Sequence, residues 1–377
     1  MTTPLDQAMA AAGNIYRERI EHHLKTPEVS FADHVRTTRE ARAKQIEGKK
    51  IVFLDTNAWN VLIDVRRGKP NVDLLKRELA EQVWRALDKG RVVFPIAIST
   101  LNELDSRTDA QDHAAVDAII DEVTGGIAFA KYLDKINEDL GRLARNDFSS
   151  DHSRSAYLRS PAELLDLPVP PIPEARHAKV DENTHHKAHY DDRGNVPASL
   201  VFKGIRDYGR ELWSDKATIA DFNKLLPELK SKVPTAPNQT PQQKFVLVTY
   251  YVLRGVLQDY CAKHALTLSE AEIKDRSLRA ALLWNDTPSN TAFASIRVQV
   301  SLHALLIADA GRKFQKGDTS DFASGVNALP VADAFYTDHA MKALLGDSRL
   351  QGLKAAMPCI VVSGFQEMKD HLAGLMS

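Results

Sequence analysis

Apolar positions change their period several times along the chain, and those changes divide it. Ile15, Ile20 and Leu24 are spaced for one helical stripe, which Pro27 ends. A second helix is predicted from Phe31 to Ile46, with Arg36, Arg39, Arg42 and Lys44 set against Glu40 and Glu47. Such a charge run predicts a solvated face, with a phosphate-contacting arm as the alternative. At Ile51-Val52-Phe53-Leu54 the pattern becomes a short apolar run closed by a polar turn, which predicts a buried parallel strand. Leu75, Leu79, Val83 and Leu87 then recur at helical spacing up to Gly90, and Val92 to Ile96 predicts the next strand. One further helix is expected to start near Thr100, and another to run from Asp112 to Val123 before Gly125-Gly126.

The middle differs. Residues 147–200 hold Pro161, Pro168, Pro170, Pro171, Pro173 and Pro197 with few aliphatic runs, which predicts loop or extended chain. Helices are expected at Val201–Trp213, Gln242–His264, Leu268–Trp284 and Thr291–Phe314, the first two separated by the Pro-rich piece from Pro227 to Pro241. Strand-and-helix alternation then returns. Ser320–Asn327 is predicted helical, Ala334–Thr337 a strand, Met341–Leu345 helical and Cys359–Val362 a strand. The expected architecture is one α/β sheet interrupted in sequence. Its parts are a helical arm (1–50), a first half (51–146), a Pro-rich and helical insertion (147–314) and a second half (315–377).

Composition narrows this only a little. Hydrophobic residues make 44% and charged residues 26% of the 377, which excludes fibrous and wholly disordered classes. Lys plus Arg number 49 against 50 acids, so a nucleic-acid partner has to meet a local basic surface and not a global field. Cys261 and Cys359 stand far apart with no CxxC, which suits a reducing compartment. Met1 to Leu24 lacks the apolar core of a signal peptide, and no run approaches the roughly 18–20 apolar residues of a membrane span. The expectation is a cytoplasmic protein with no membrane partner.

Acids recur where parallel α/β sheets bind ligands, beyond the carboxyl ends of strands. Asp55 follows the first strand, Glu103 lies in the helix after the second, Asp321 opens a helix before the third, and Asp338 follows the third. Four carboxylates in one crevice repel unless cations neutralise them, and an all-oxygen set suits Mg2+ or Mn2+. Each acid also has an ordinary explanation. Thr100-x-x-Glu103 fits a capping box, Asp321 suits a helix N-terminus, and Asp318 or Ser320 can cap that helix.

The ordered set resembles the PIN-like nuclease family. The matching segments are Val52-Phe53-Leu54-Asp55-Thr56-Asn57, Phe94-Pro95 through Ser99-Thr100-Leu101-Asn102-Glu103-Leu104, Gly317-Asp318-Thr319-Ser320-Asp321, and Leu329-Pro330-Val331-Ala332-Asp333-Ala334-Phe335-Tyr336-Thr337-Asp338. A similar bacterial group often has histidine where this chain has Ser324 and tyrosine where it has Val331. The resemblance covers roughly 51–130 and 315–365. It implies a three-layer parallel-sheet domain split by a mainly helical insertion. It also implies a metal-dependent endoribonuclease that hydrolyses RNA through water activated by Mg2+ or Mn2+, with single-stranded DNA as a second substrate. By carry-over Asp55, Glu103, Asp321 and Asp338 are the metal ligands, Asn57 and Thr337 support them, and Asp318 or Asp333 assists. The alternatives are a non-catalytic nucleic-acid-binding scaffold and a metal-dependent phosphatase on a small phosphoester. The oligomeric state stays open, a homodimer included.

Other patterns carry less. His185-His186-x-x-His189 with Asp191 and Asp192 has zinc-site composition, but its polar surroundings predict a surface loop. Lys203, Arg206 and Arg210 share one face of a predicted helix, a phosphate-gripping surface or a solvated one, and Arg297 either reaches the site or pairs with an acid. No GxxxxGK[ST], strand-borne GxGxxG or GxSxG occurs. A haloacid-dehalogenase-like phosphatase would need Asp at position 57, which is Asn.

Overall fold

A computed structural model describes residues 15–70, 72–106, 109–149, 153–165, 180–208, 226–231, 238–309, 311–315 and 317–377. The chain starts with two helices, α1 (15–23) and α2 (Phe31–Gln45), then enters β1 (Lys50–Leu54), α3 (Thr56–Arg66) and α4 (Leu74–Asp88). Next come β2 (Val92–Val93), α5 (Ile98–Asp105), α6 (Ala110–Thr124), β3 (Ala128–Phe129) and α7 (Tyr132–Ala144). The strand expected over Val92–Ile96 is cut short because Pro95 has no N–H to give a ladder; beyond it Ile96 makes one parallel bridge to Ala128.

Where it is described, the middle holds helices in place of the expected loop or extended chain; Pro168, Pro170, Pro171 and Pro173 lie outside the described residues. It holds α8 (Arg154–Tyr157), β4 (Leu158–Arg159), a 3-10 turn (Pro161–Leu164), α9 (Glu182–Gly194), α10 (Ala198–Tyr208) and α11 (226–231). The long helices follow: α12 (Pro241–Lys263), α13 (Glu270–Asp286) and α14 (Ala294–Ala308), the last shorter than expected. Then come α15 (Asp318–Ala328), β5 (Ala334–Thr337), α16 (His339–Leu345), α17 (Gln351–Ala356), β6 (Ile360–Ser363) and α18 (Phe365–Met376).

One parallel sheet of four strands, ordered β2-β1-β5-β6, joins both ends of the sequence. Val52 pairs with Ala334, Phe53 with Phe335 and Leu54 with Tyr336. Alternate residues of each strand enter different cores, as the two-residue period requires. Ile51, Phe53 and Phe335 share a core with α7, α12 and α14 residues. Val52, Leu54, Ala334 and Tyr336 share another with α3, α4, α6 and α18 residues. The expected insertion boundary at 314 therefore falls between helices, α14 and α15, that pack in one core with β1 and β5. Among the described residues no helix is long and apolar enough to cross a membrane.

Asp333 sits at the amino end of this sheet. It accepts hydrogen bonds from the Ile51 N–H at 2.8 Å and Lys50 Nζ at 2.9 Å, with Arg154 Nη2 at 3.5 Å. It fixes the starts of β1 and β5, and its predicted assisting role at the acid cluster is corrected by that position.

Candidate metal centre at the carboxyl end of the sheet

Asp55 and Asp338 directly follow the adjacent parallel strands β1 and β5, so the strand pairing alone brings the two carboxylates to one edge. Asp55 is 6% exposed, and both its oxygens have donors: Oδ1 accepts from the Thr56 N–H at 2.6 Å and Oδ2 from Thr337 Oγ1 at 3.1 Å. Thr337 thus holds one oxygen of Asp55. Burial, followed by the charge of Glu103 and then Asp338, pushes Asp55 up to about 7, against the opposing pull of its two threonine donors.

Glu103 accepts from Thr56 Oγ1, the residue after Asp55. The capping-box explanation for Glu103 fails, because Ala97 is the N-cap of α5 and Thr100 lies inside the helix. Asp321 stands on the first turn of α15, and Ser99 Oγ and Ser324 Oγ meet at 3.3 Å between α5 and α15. Burial, then repulsion from Asp55, Asp338, Glu103 and Asp318 in falling order, pushes Asp321 up to about 8. Asp321 and not Asp318 thus faces the other acids. Asp318 turns back to Arg312 Nη2 at 3.1 Å and the Gln315 N–H at 2.7 Å. Neither Asp318 nor Ser320 is the N-cap of α15; Gly317 is, at φ +102°, where a side chain would be strained.

Two features weigh the other way. Asp55 and Asp338 also cap α3 and α16, Asp338 accepting from the Met341 N–H at 2.7 Å. Among the described residues, no three of the four acids bring ligand oxygens within 4.8 Å of one another; His23, His34 and Asp191 reach that spacing. Asn57 is exposed on the first turn of α3. His339, which no motif singled out, follows Asp338, and its Nδ1 lies 2.9 Å from Ser363 Oγ.

Of the expected basic surface, Lys203, Arg206 and Arg297 are described. Arg206 Nη2 reaches Asp117 at 3.3 Å and its guanidinium lies over the Phe202 ring, while Lys203 is exposed. Arg210 lies outside the described residues. Arg297 is 2% exposed and donates to the carbonyls of Pro288, Asn290 and Trp284, neither reaching the acids nor pairing with one; burial lowers it to about 10. The histidine run is not a loop: His185, His186 and His189 lie on α9, where His185 is buried and bonds Tyr16.

No family profile, no curated protein and no solved structure matches this chain.

Proposed function

We propose that this chain is a metal-dependent nuclease with a PIN-like domain, acting on RNA first and single-stranded DNA second. The observation that carries the reading is geometric: Asp55 and Asp338 follow adjacent strands of one parallel sheet, Glu103 accepts from Thr56 Oγ1 beside Asp55, and Asp321 stands on the first turn of α15. Helices packed against both sheet faces support the three-layer part of the proposal.

The donor set fits a hard divalent cation, because it offers carboxylate oxygens and no nitrogen or sulfur. Asp55, Glu103, Asp321 and Asp338 would hold Mg2+ or Mn2+. Such an ion, when bound, makes water a nucleophile near neutral pH and offsets charge on a phosphodiester. The protein's own part is orientation. Thr337 and the Thr56 N–H fix both oxygens of Asp55, and the Thr56 hydroxyl holds Glu103 toward it. With no cation, Asp321 keeps its proton near neutral pH, which relieves the repulsion.

The helix-capping by Asp55 and Asp338, with the wider spacing of the acids, favours the second reading, a non-catalytic scaffold. One assay separates the two. Labelled single-stranded RNA and DNA are incubated with the full chain in Mn2+ or chelator, beside Asp55→Asn and Asp321→Asn. The nuclease reading expects metal-dependent cleavage of RNA, reduced at least about a hundredfold in either variant, the scale of losing a charge-stabilising group. Cleavage that survives both substitutions removes it, and binding without cleavage selects the scaffold.

A further inference from the structure

The N-terminal helices meet α9 through a compact cluster of nitrogen and oxygen ligands. Asp191 Oδ2 lies 2.8 Å from His23 Nε2, and its Oδ1 lies 2.7 Å from His34 Nε2. The ligand atoms of the three residues all fall within 4.8 Å of one another. A tetrahedral Zn2+ with bonds near 2.0–2.2 Å holds its ligand atoms roughly 3.3 Å apart, so small adjustments let one ion sit among them. Side-chain exposure rises from 3% at His23 to 17% at His34 and 27% at Asp191. The cluster is therefore sealed on the protein side and open to water on the other.

We propose that His23, His34 and Asp191 form a Zn2+-class site that pins α1 and α2 to α9. Two imidazoles with one carboxylate prefer a borderline transition ion, whereas the acids at the sheet edge prefer Mg2+ or Mn2+. Three protein ligands leave a fourth position to solvent on the open side. The surrounding contacts hold the same junction. Lys187, on α9 and fully buried, donates to the Thr26 and Val29 carbonyls at 2.9 Å, and Asn183 Nδ2 also reaches Val29. The loop between α1 and α2 is thus fixed beside the site, and His23 and His34 flank that loop. The ion joins residues more than 150 positions apart, so its binding stabilises the docked arm over the released one.

The test uses the chelator-stripped full chain, titrated with Zn2+ alone and followed by metal analysis and thermal melting. The site predicts one Zn2+ per chain with a raised Tm, and affinity weakened at least about tenfold in His34→Gln and Asp191→Asn, since even outer-shell partners count on that scale. Asp55→Asn keeps the zinc, which separates this site from the nuclease reading. Zinc-edge X-ray absorption of the wild-type chain needs no variant to fold, and the proposal expects two imidazole ligands in it. No zinc uptake, uptake unchanged in both variants, or a spectrum without imidazole overturns it.

Discussion

Asp55 has two sets of neighbours pulling against each other. Its hydrogen-bond donors favour the carboxylate, while burial and the charges of Glu103 and Asp338 oppose it and win. Asp321 lies further in the same direction. Both folded pKa values exceed the ordinary carboxylate value near 4, so folding takes up protons between about pH 4 and pH 8. Stability in chelator is thus greatest below about pH 4 for these groups and is lost as pH rises through 7 and 8. Urea denaturation in chelator is expected to show Asp55→Asn more stable than wild type by roughly 1–3 kcal/mol at about pH 8, with the difference gone near pH 4. Equal stabilities at both pH values would contradict the buried-charge account. Position within the motif made Asp55 and Asp338 legible in sequence. The choice between Asp318 and Asp321 was not, because it depends on Arg312 and Gln315 folding back onto Asp318.

Among elements, legibility followed the source of each buried face. The starts of α12 and α13 have local signals, Thr240 with Gln243 and Ser269 with Glu272, and both capping boxes form. Helix α9 gave no aliphatic stripe, since its buried face is Thr184, His185, Lys187 and Ala188, of which His185 and Lys187 find their partners far away in sequence, at Tyr16 and the Thr26 and Val29 carbonyls. Helix α14 starts with Phe293 in a left-handed conformation and no side-chain cap of its own. Asp139 of α7 supplies one, accepting from the Ser295 and Ile296 N–H groups at 2.9 and 3.1 Å. Asp139→Ala is expected to cost about 2–3 kcal/mol in urea denaturation, as two buried donors lose their acceptor; a loss below about 0.5 kcal/mol would contradict that role. The charge run of α2 is in part the expected solvated face, with Arg36 and Glu40 exposed. Arg39 and Arg42 converge on Glu163, at 2.7 and 3.1 Å. Glu163→Ala leaves both guanidinium groups half-buried and unpaired, so the arm should become protease-sensitive at residues 24–46 before the sheet does. Simultaneous cleavage of arm and sheet would show that the arm has no separate docking energy.

At the scale of the whole molecule, the sheet joins strands 282 residues apart, and the acid-bearing edge exists only because β1 and β5 pair. The repeated strand-then-acid pattern made that closure readable. The basic surface was not readable, because it hinged on whether each cation had already found a partner inside the protein. Arg206 has Asp117 and Arg297 has three carbonyls. Lys203→Ala is accordingly expected to change RNA affinity by less than about threefold in a filter-binding titration, the effect of one exposed charge. A tenfold loss would restore that helix face as an RNA contact. In the proposed site, four acids from both ends of the chain serve one cation. Manganese anomalous scattering from crystals of the full chain soaked in Mn2+ tests it most directly. An anomalous peak in coordination distance of Asp55, Glu103, Asp321 and Asp338 is expected, and it is absent in Asp55→Asn crystals. Bound Mn2+ elsewhere, with none among these four carboxylates, would contradict it.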